Sequence, residues 1–188
     1  NPGIGSLPRL YWGPKDPDYL ATRYQHEIFM LGFPQQLYIL TAPDSLWDHT
    51  RAPEGSHTIL IEDFSAPSRM FSPREWGRLK DDFVEQTFEQ WQNLAPNMTR
   101  DNLIASRIYT PYDVEASHPD MIQGGWSEGA MIASQLGRFR PFPELSNYRT
   151  PVENLYICSS NLHSAGGIGR GSSLNCYQVM AEDLGLNQ

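Results

Sequence analysis

Residues 154–186 read NLYICSSNLHSAGGIGRGSSLNCYQVMAEDLGL, and the order of residue types in this stretch decides how the remainder of the chain is read. It opens on Leu155-Tyr156-Ile157-Cys158, an apolar run of strand length rich in β-formers. Two serines follow, then a glycine-rich loop, Gly166-Gly167-Ile168-Gly169-Arg170-Gly171. A helical pattern comes next, which predicts Leu174, Tyr177, Met180, Ala181 and Leu184 on one face and Gly185 at the stop. Strand, glycine loop and helix N-terminus together make a place where backbone N–H groups and the helix dipole face an anion. Glycine lets a ligand come close to the backbone there. On spacing alone the loop fits a ligand site and a tight structural turn equally. It is not a P-loop, because Ser172 and Ser173 follow Gly171 where a lysine is required. It is not a complete G-x-G-x-x-G either, because the third glycine position after Gly167 and Gly169 is Ser172.

Tyr156, Cys158, Ser160, His163, Gly166, Gly167 and Asn175 fall in register with the pattern Y-L-C-G-S-G-x-H-P-G-G-G-V-x-G-x-x-G-R-N-A-A, with Ile168 at the valine. The stretch resembles the C-terminal flavin motif of phytoene-desaturase-like FAD oxidoreductases, in the amine oxidase and carotenoid desaturase superfamily. It departs from them at Ser159 and Asn161, where the family has glycines, and at Ser164, Ala165 and Leu174. Upstream, Thr110-Pro111, Asp113, Glu115, Gly124-Gly125, Arg140-Pro141, Pro143, Leu145-Ser146 and Tyr148-Arg149-Thr150-Pro151 follow the family's order. Ser45-Leu46-Trp47-Asp48 and Ala52-Pro53-Glu54-Gly55 fit it too. The resemblance runs from Gln36 to the end.

The resemblance implies a mixed α+β and α/β fold, the C-terminal part of a two-domain GR2-type flavoprotein. Residues 1–35 would be an arm and the start of the substrate domain, and 36–152 a portion of that domain, a mixed sheet with helices. Residues 153–188 would be the last strand, loop and helix of the Rossmann-like FAD domain. FAD is the implied cofactor, with Ser159, Ser160, His163, Gly166, Gly167 and Ile168 as its contacts; no catalytic acid or base is assigned. Arg170 divides between a phosphate contact and a surface salt bridge, and His163 between a hydrogen-bonded loop residue and a ligand contact. The G-x-G-x-x-G half that holds the ADP end of FAD is not in this sequence. The chain therefore reads as a fragment, or as one subunit of a split enzyme similar in organisation to two-subunit limonene dehydrogenases. The implied partners are a larger Rossmann-type FAD-binding subunit in an obligate heteromer, a hydrophobic small molecule and an electron-carrier protein. The implied activity is dehydrogenation of a monoterpene-like or carotenoid-like hydrocarbon by hydride transfer to flavin, with or without hydroxylation. Two alternatives stay open: a portion of an amine or amino-acid oxidase, and a scaffold subunit that kept the fold without the chemistry.

Composition sets the bounds. The 188 residues carry 39% hydrophobic and 19% charged side chains, as a globular protein does, and the formal charge of −8 argues against nucleic acid as a partner. Fifteen prolines and fifteen glycines predict many turns. Cys158 and Cys176 read as small buried residues in a reducing compartment rather than a disulfide framework. No run of about 18 apolar residues is present, and the expected setting is cytoplasmic, with a peripheral position at a membrane as the variant. His26, His49, His57 and His118 have no metal-ligand spacing, and no metal is assigned.

Along the chain, residues 1–17 read as an irregular arm, and Tyr19 to Phe33 has near-helical spacing. Strands are expected at Gln36–Thr41, at Ser56–Glu62 with both faces buried, and at Asn102–Tyr109. Ser72-Pro73-Arg74-Glu75 is a capping box with proline at the first helical position, which predicts a helix from Pro73 to Ala95. Its apolar stripe is Trp76, Leu79, Phe83, Phe88, Trp91 and Leu94, read as core. Ser127 is placed to cap a short helix through Leu136.

Overall fold

Ser72 and Glu75 fix the start of the longest element. The Ser72 hydroxyl accepts the Glu75 N–H at 3.4 Å, and the Glu75 carboxylate accepts the Ser72 N–H at 2.8 Å. From there α3 runs over Pro73–Leu94. The structure is a computed structural model that describes residues 10–37, 39–125, 130, 132–163 and 170–186. The chain divides into two units, Asn1–Ser117 and His118–Gln188.

In the first unit, β1 (Leu10–Trp12), β2 (Ile39–Ala42) and β3 (Leu60–Glu62) form an antiparallel sheet in that order. Tyr11 lies opposite Leu40, and Leu40 opposite Glu62. Between β1 and β2 the chain is helical: α1 (Pro17–Arg23), a π-helical turn (Tyr24–Ile28) and α2 (Phe29–Leu31). Gly32 ends α2 with φ 95°, and a Cβ there would come within 2.8 Å of the Leu79 side chain on α3. Glycine therefore serves both the backbone angle and the close approach.

Of the predicted α3 stripe, Trp76 and Phe88 are buried, and Leu79 and Phe83 pack against the core clusters. Trp76 is 2% exposed and packs with Ile28 and Ala66, flanked by Phe71 and Leu79. Its indole N–H donates to the Ser68 carbonyl at 2.7 Å, so the ring is buried without an orphaned donor. Phe33 and Leu37 make a second cluster with Ile61, Leu79 and Phe83, the two phenyl rings meeting edge to face at 5.4 Å. Arg23 and Asp63 form a buried ion pair at 2.7 Å, and Arg23 also donates to the Gln36 carbonyl. That pair joins α1 to the segment after β3.

Four expected elements differ. Leu10–Trp12, read as part of an irregular arm, is a strand paired with β2. The strand at Ser56–Glu62 shortens to Leu60–Glu62, and Ile59 and Leu60 are exposed rather than buried on both faces. Ser45 accounts for this by holding the backbone on either side of Thr58: its hydroxyl accepts the Thr58 N–H at 3.0 Å and donates to the Thr58 carbonyl at 3.2 Å, leaving neither group for a ladder. Residues 103–110 form no strand, and Ile104 and Tyr109 are exposed, since no neighbouring strand among the described residues offers them a ladder. Ser127 lies outside the described residues, and Ala133–Gln135 makes a single 3₁₀ turn.

Thr110-Pro111 begins a helix that the sequence reading passed over, α4 (Pro111–Ser117). Thr110 and Asp113 cap it as Ser72 and Glu75 cap α3: Thr110 donates its N–H and its hydroxyl to the Asp113 carboxylate at 2.7 and 2.6 Å. The other Asp113 oxygen accepts from Lys80 of α3 at 2.7 Å. Glu115 accepts from the Ser68 hydroxyl and lies 3.6 Å from Arg69. Asp113 and Glu115 thus dock α4 onto α3 and the turn at Ser68–Met70.

Burial raises the Asp113 carboxyl pKa, but the Lys80 and Thr110 hydrogen bonds outweigh it and hold it below the usual value. The unfolded chain then takes up this proton first as the pH falls. The stabilisation is whole above about pH 4 and is lost as the pH drops through the lowered native value. Asp113→Asn is expected to be less stable than the parent at neutral pH and to lose less stability on acidification. Thermal melts from neutral pH down to about pH 2 check this, and parallel curves would refute the role of the carboxylate.

Candidate functional site

The site predicted from the 154–186 stretch lies wholly in the second unit and begins with an irregular hairpin. The Ile157 N–H donates to the Tyr148 carbonyl at 2.9 Å, Arg149 pairs with Tyr156 in a single antiparallel bridge, and the Thr150 N–H donates to the Leu155 carbonyl at 3.2 Å. Pro151 and the left-handed Asn154 (φ 61°) turn the chain between the two arms. Leu155–Cys158, expected as a strand, is therefore only the returning arm of this hairpin. A longer ladder needs another strand alongside, which the described residues do not supply.

Residues 159–163 form the turn that follows, and three side chains hold its carbonyls. The Ser172 hydroxyl, in the first turn of α5 (Arg170–Asp183), donates to the Ser159 carbonyl at 2.9 Å. The Arg140 Nε–H donates to the Ser160 carbonyl at 3.1 Å, while its Nη1 reaches the carbonyls of Ala130 and Gln135 at 3.2 and 3.3 Å. The Tyr148 hydroxyl donates to the His163 carbonyl at 3.3 Å and accepts from the Asn175 amide at 2.8 Å. Arg140 and Tyr148 are both buried. Tyr148 sits at φ 71°, a left-handed conformation that costs a non-glycine residue on the order of 1–2 kcal/mol. Its ring offsets that by packing with Leu162 and Cys176.

The other end of α5 is held by charge. Arg149 makes a bidentate pair with Asp183 at 2.8 and 2.7 Å, and the Tyr156 hydroxyl donates to the same carboxylate at 2.9 Å. The Arg149 hydrogen bond, seconded by that of Tyr156, holds the Asp183 pKa below its usual value. Gly185 (φ 67°) then stops the helix as predicted: the Leu186 N–H bonds to the Ala181 carbonyl at 2.8 Å and the Gly185 N–H to the Glu182 carbonyl at 3.2 Å.

The core-facing side of α5 follows the spacing only in part. Cys176 is 4% exposed, with Val179 and Met180 packed beside it, whereas Leu174 and Tyr177 are 52% and 63% exposed and Leu184 is exposed as well. At about 100° per residue these three lie roughly 80–160° round the helix from Cys176. Met180 and Ala181, the other two residues predicted on that face, do turn inward: Met180 packs beside Cys176 and Ala181 is buried.

Of the predicted contacts, Ser159, Ser160 and His163 come together on one turn beside the start of α5. Gly166, Gly167 and Ile168 lie outside the described residues, as does the side chain of Arg170. The Ser159 hydroxyl is engaged locally, accepting the Asn161 N–H at 3.1 Å. Cys158, read as buried, is exposed because the hairpin arm that carries it is edge structure; Cys176 is buried as read. Arg140 and Tyr148, which position the turn, were legible only as members of the family pattern. Among the described residues no group of His, Cys, Asp and Glu is placed to hold a metal, and no helix is long and apolar enough to cross a membrane.

This arrangement suits an anionic or electron-rich ligand. The carbonyls of Ser159, Ser160 and His163 are occupied by donors from the unit itself, and the first turn of α5 has no acidic residue to oppose its dipole. Serine hydroxyls stand on both sides, at Ser159 and Ser160 in the turn and at Ser172 and Ser173 in the helix.

No family model matches the chain, and no solved structure matches it. Pyridine nucleotide-disulfide oxidoreductase domain-containing protein 2 of Mus musculus is 33% identical to it over 156 residues, 81% of this chain and 26% of that protein. The Rattus norvegicus protein of the same name is 31% identical over 156 residues. Over most of its length the chain is a relative of oxidoreductases. One subunit of the limonene dehydrogenase of Castellaniella defragrans is 35% identical over 86 residues, 46% of this chain and 16% of that protein. The chain spans about a quarter of the length of the two mammalian relatives.

Tyr148→Phe keeps the ring and removes the hydroxyl that serves both His163 and Asn175. A loss of about 0.5–1.5 kcal/mol per bond is expected, the net worth of hydrogen bonds between part-buried groups. Denaturant unfolding measures the loss, and faster proteolytic cleavage within 159–163 would locate it. An unchanged unfolding midpoint and cleavage rate would show that the hydroxyl does not hold the turn.

Proposed function

We propose that this chain is the C-terminal part of an FAD-dependent oxidoreductase that dehydrogenates a hydrophobic isoprenoid hydrocarbon, monoterpene-like or carotenoid-like. It works with a dinucleotide-binding part that the sequence itself does not contain. The observation that carries this reading is the 33% identity over 156 residues to an oxidoreductase domain protein. The similarity to one chain of a limonene dehydrogenase supports both the terpene substrate and the assembly from more than one chain. Exposed apolar side chains on α5 and the hairpin, among them Leu174, Tyr177, Val152 and Leu155, support a large partner surface.

Ser159, Ser160 and His163, with the loop Gly166-Gly167-Ile168, would hold the flavin. When bound, that group supplies the chemistry by accepting a hydride from a substrate carbon. The chain's own residues orient and stabilise. The N-terminal N–H groups of α5 favour the negative charge that accompanies reduction. Arg140 and Tyr148 keep the carbonyls of the 159–163 turn from facing that charge. The chain's aromatic content of 12% supports a substrate without ionic groups.

The test is flavin content and turnover of the complete enzyme, isolated with every chain that accompanies this one. Visible flavin bands are expected, together with terpene-dependent reduction of an artificial electron acceptor. Gly167→Val is expected to strip the flavin while leaving the assembly's composition unchanged. Retained flavin in that variant would refute the assigned contacts. A flavin-bearing complex inert toward terpenes and carotenoid precursors would refute the substrate class.

A further inference from the structure

The chain has two cysteines, and they bracket residues 159–175. Cys158 lies on the returning hairpin arm, between Ile157, whose N–H bonds to the Tyr148 carbonyl, and Ser159, whose carbonyl accepts from Ser172. Cys176 is one helical turn beyond Ser172, and residues four apart share a helix face. The Ser159–Ser172 bond therefore sets the face that bears Cys176 along the arm that bears Cys158. Packing agrees: Tyr156 and Ile157, the residues just before Cys158, pack on the Tyr148–Leu162–Cys176 cluster. Both thiols are free, Cys158 exposed and Cys176 buried. The two thiols are close enough for Cys158 to act on Cys176. Burial first, and then the proximity of Cys158, pushes the Cys176 thiol pKa up.

We propose that Cys158 and Cys176 form a reversible dithiol–disulfide pair, oxidised by hydrogen peroxide, that ties the hairpin arm to the middle of α5. The exposed Cys158 reacts first. Its thiolate sulfur attacks one peroxide oxygen, the O–O bond breaks, and hydroxide leaves to take up a proton as water, giving a sulfenic acid. The Cys176 sulfur, as thiolate, then attacks the Cys158 sulfur. The S–O bond breaks, a second water departs, and the S–S bond forms. Two thiols give up two electrons and two protons in all, and one peroxide becomes two waters. The raised Cys176 pKa makes the second step slower at neutral pH than at alkaline pH, because the thiolate is the nucleophile.

The consequence is local. Before oxidation, hydrogen bonds hold Ser159 to Ser172 of α5, Ser160 to Arg140 and His163 to Tyr148 of the hairpin. The bridge closes a covalent ring around 159–175, which narrows the conformations open to that segment. This inference rests on the neighbouring sulfurs and not on the proposed flavin function, so either can fail without the other.

The full chain, treated with limiting hydrogen peroxide and quenched with iodoacetamide under denaturing conditions, provides the test by mass spectrometry. The expected product is a monomer lighter by two hydrogens, with neither cysteine alkylated and one peptide pair cross-linked through Cys158 and Cys176. Dithiothreitol should restore two alkylated thiols. Loss of the Cys158 thiol should match loss of the Cys176 thiol one for one, and Cys158→Ser should leave Cys176 fully alkylated under the same dose. Oxidation of Cys158 to sulfinic acid with Cys176 still alkylated would overturn the proposal, as would disulfides formed only between chains. The unsubstituted chain decides the matter alone, so poor folding of a variant does not blunt the test.

Discussion

A turn that lies against a helix must find donors for its carbonyl oxygens, and that requirement organises the second unit. Residues 159–163 have three carbonyls facing inward, and each is met by a side chain from a different place: Arg140 before the hairpin, Tyr148 in its first arm, Ser172 on α5. Burying such groups unpaired would cost several times what the bonds add. The backbone strain at Tyr148 belongs to the same arrangement, since that angle accompanies a hydroxyl that serves both the turn and Asn175 of the helix.

Local rules in the sequence were read well where they act over three or four residues. The capping box at Ser72, the proline after it and the stop at Gly185 all depend on neighbours along the chain, and all stand in the structure. Thr110-Pro111-Tyr112-Asp113 obeys the same rule and could have been read the same way; its place in a family pattern drew attention from its capping chemistry. Legibility failed where the outcome depends on distant residues. The expected strands at Leu155–Cys158 and Asn102–Tyr109 are apolar enough, but a strand exists only beside another strand. Periodicity put Leu174, Tyr177, Met180, Ala181 and Leu184 on one face of α5; of these only Met180 and Ala181 turn inward, joined by Cys176, which meets Tyr148 and Leu162. For the site, the sequence brought Ser159, Ser160 and His163 together but gave no sign that Arg140 would be buried beneath them.

Each unit leaves large apolar side chains outside: Met30, Phe64 and Ile104 in the first, Phe142, Leu155 and Tyr177 in the second. The mammalian relatives are about four times as long as the region they share with the chain.

The π-helical turn at Tyr24–Ile28 carries a consequence for how this protein tolerates change. A π turn holds one residue more than an α turn, so everything after it is rotated by about 100° relative to an unbroken helix. That offset delivers Ile28 to the Trp76 cluster, and it sets Glu27 where it accepts from the Tyr19 hydroxyl at 2.5 Å and the Gln35 N–H at 2.7 Å. The segment works as a phase adjuster between α1 and Gly32. Its side chains can drift over evolutionary time so long as their number does not, because a one-residue deletion would leave a better helix pointing the wrong way.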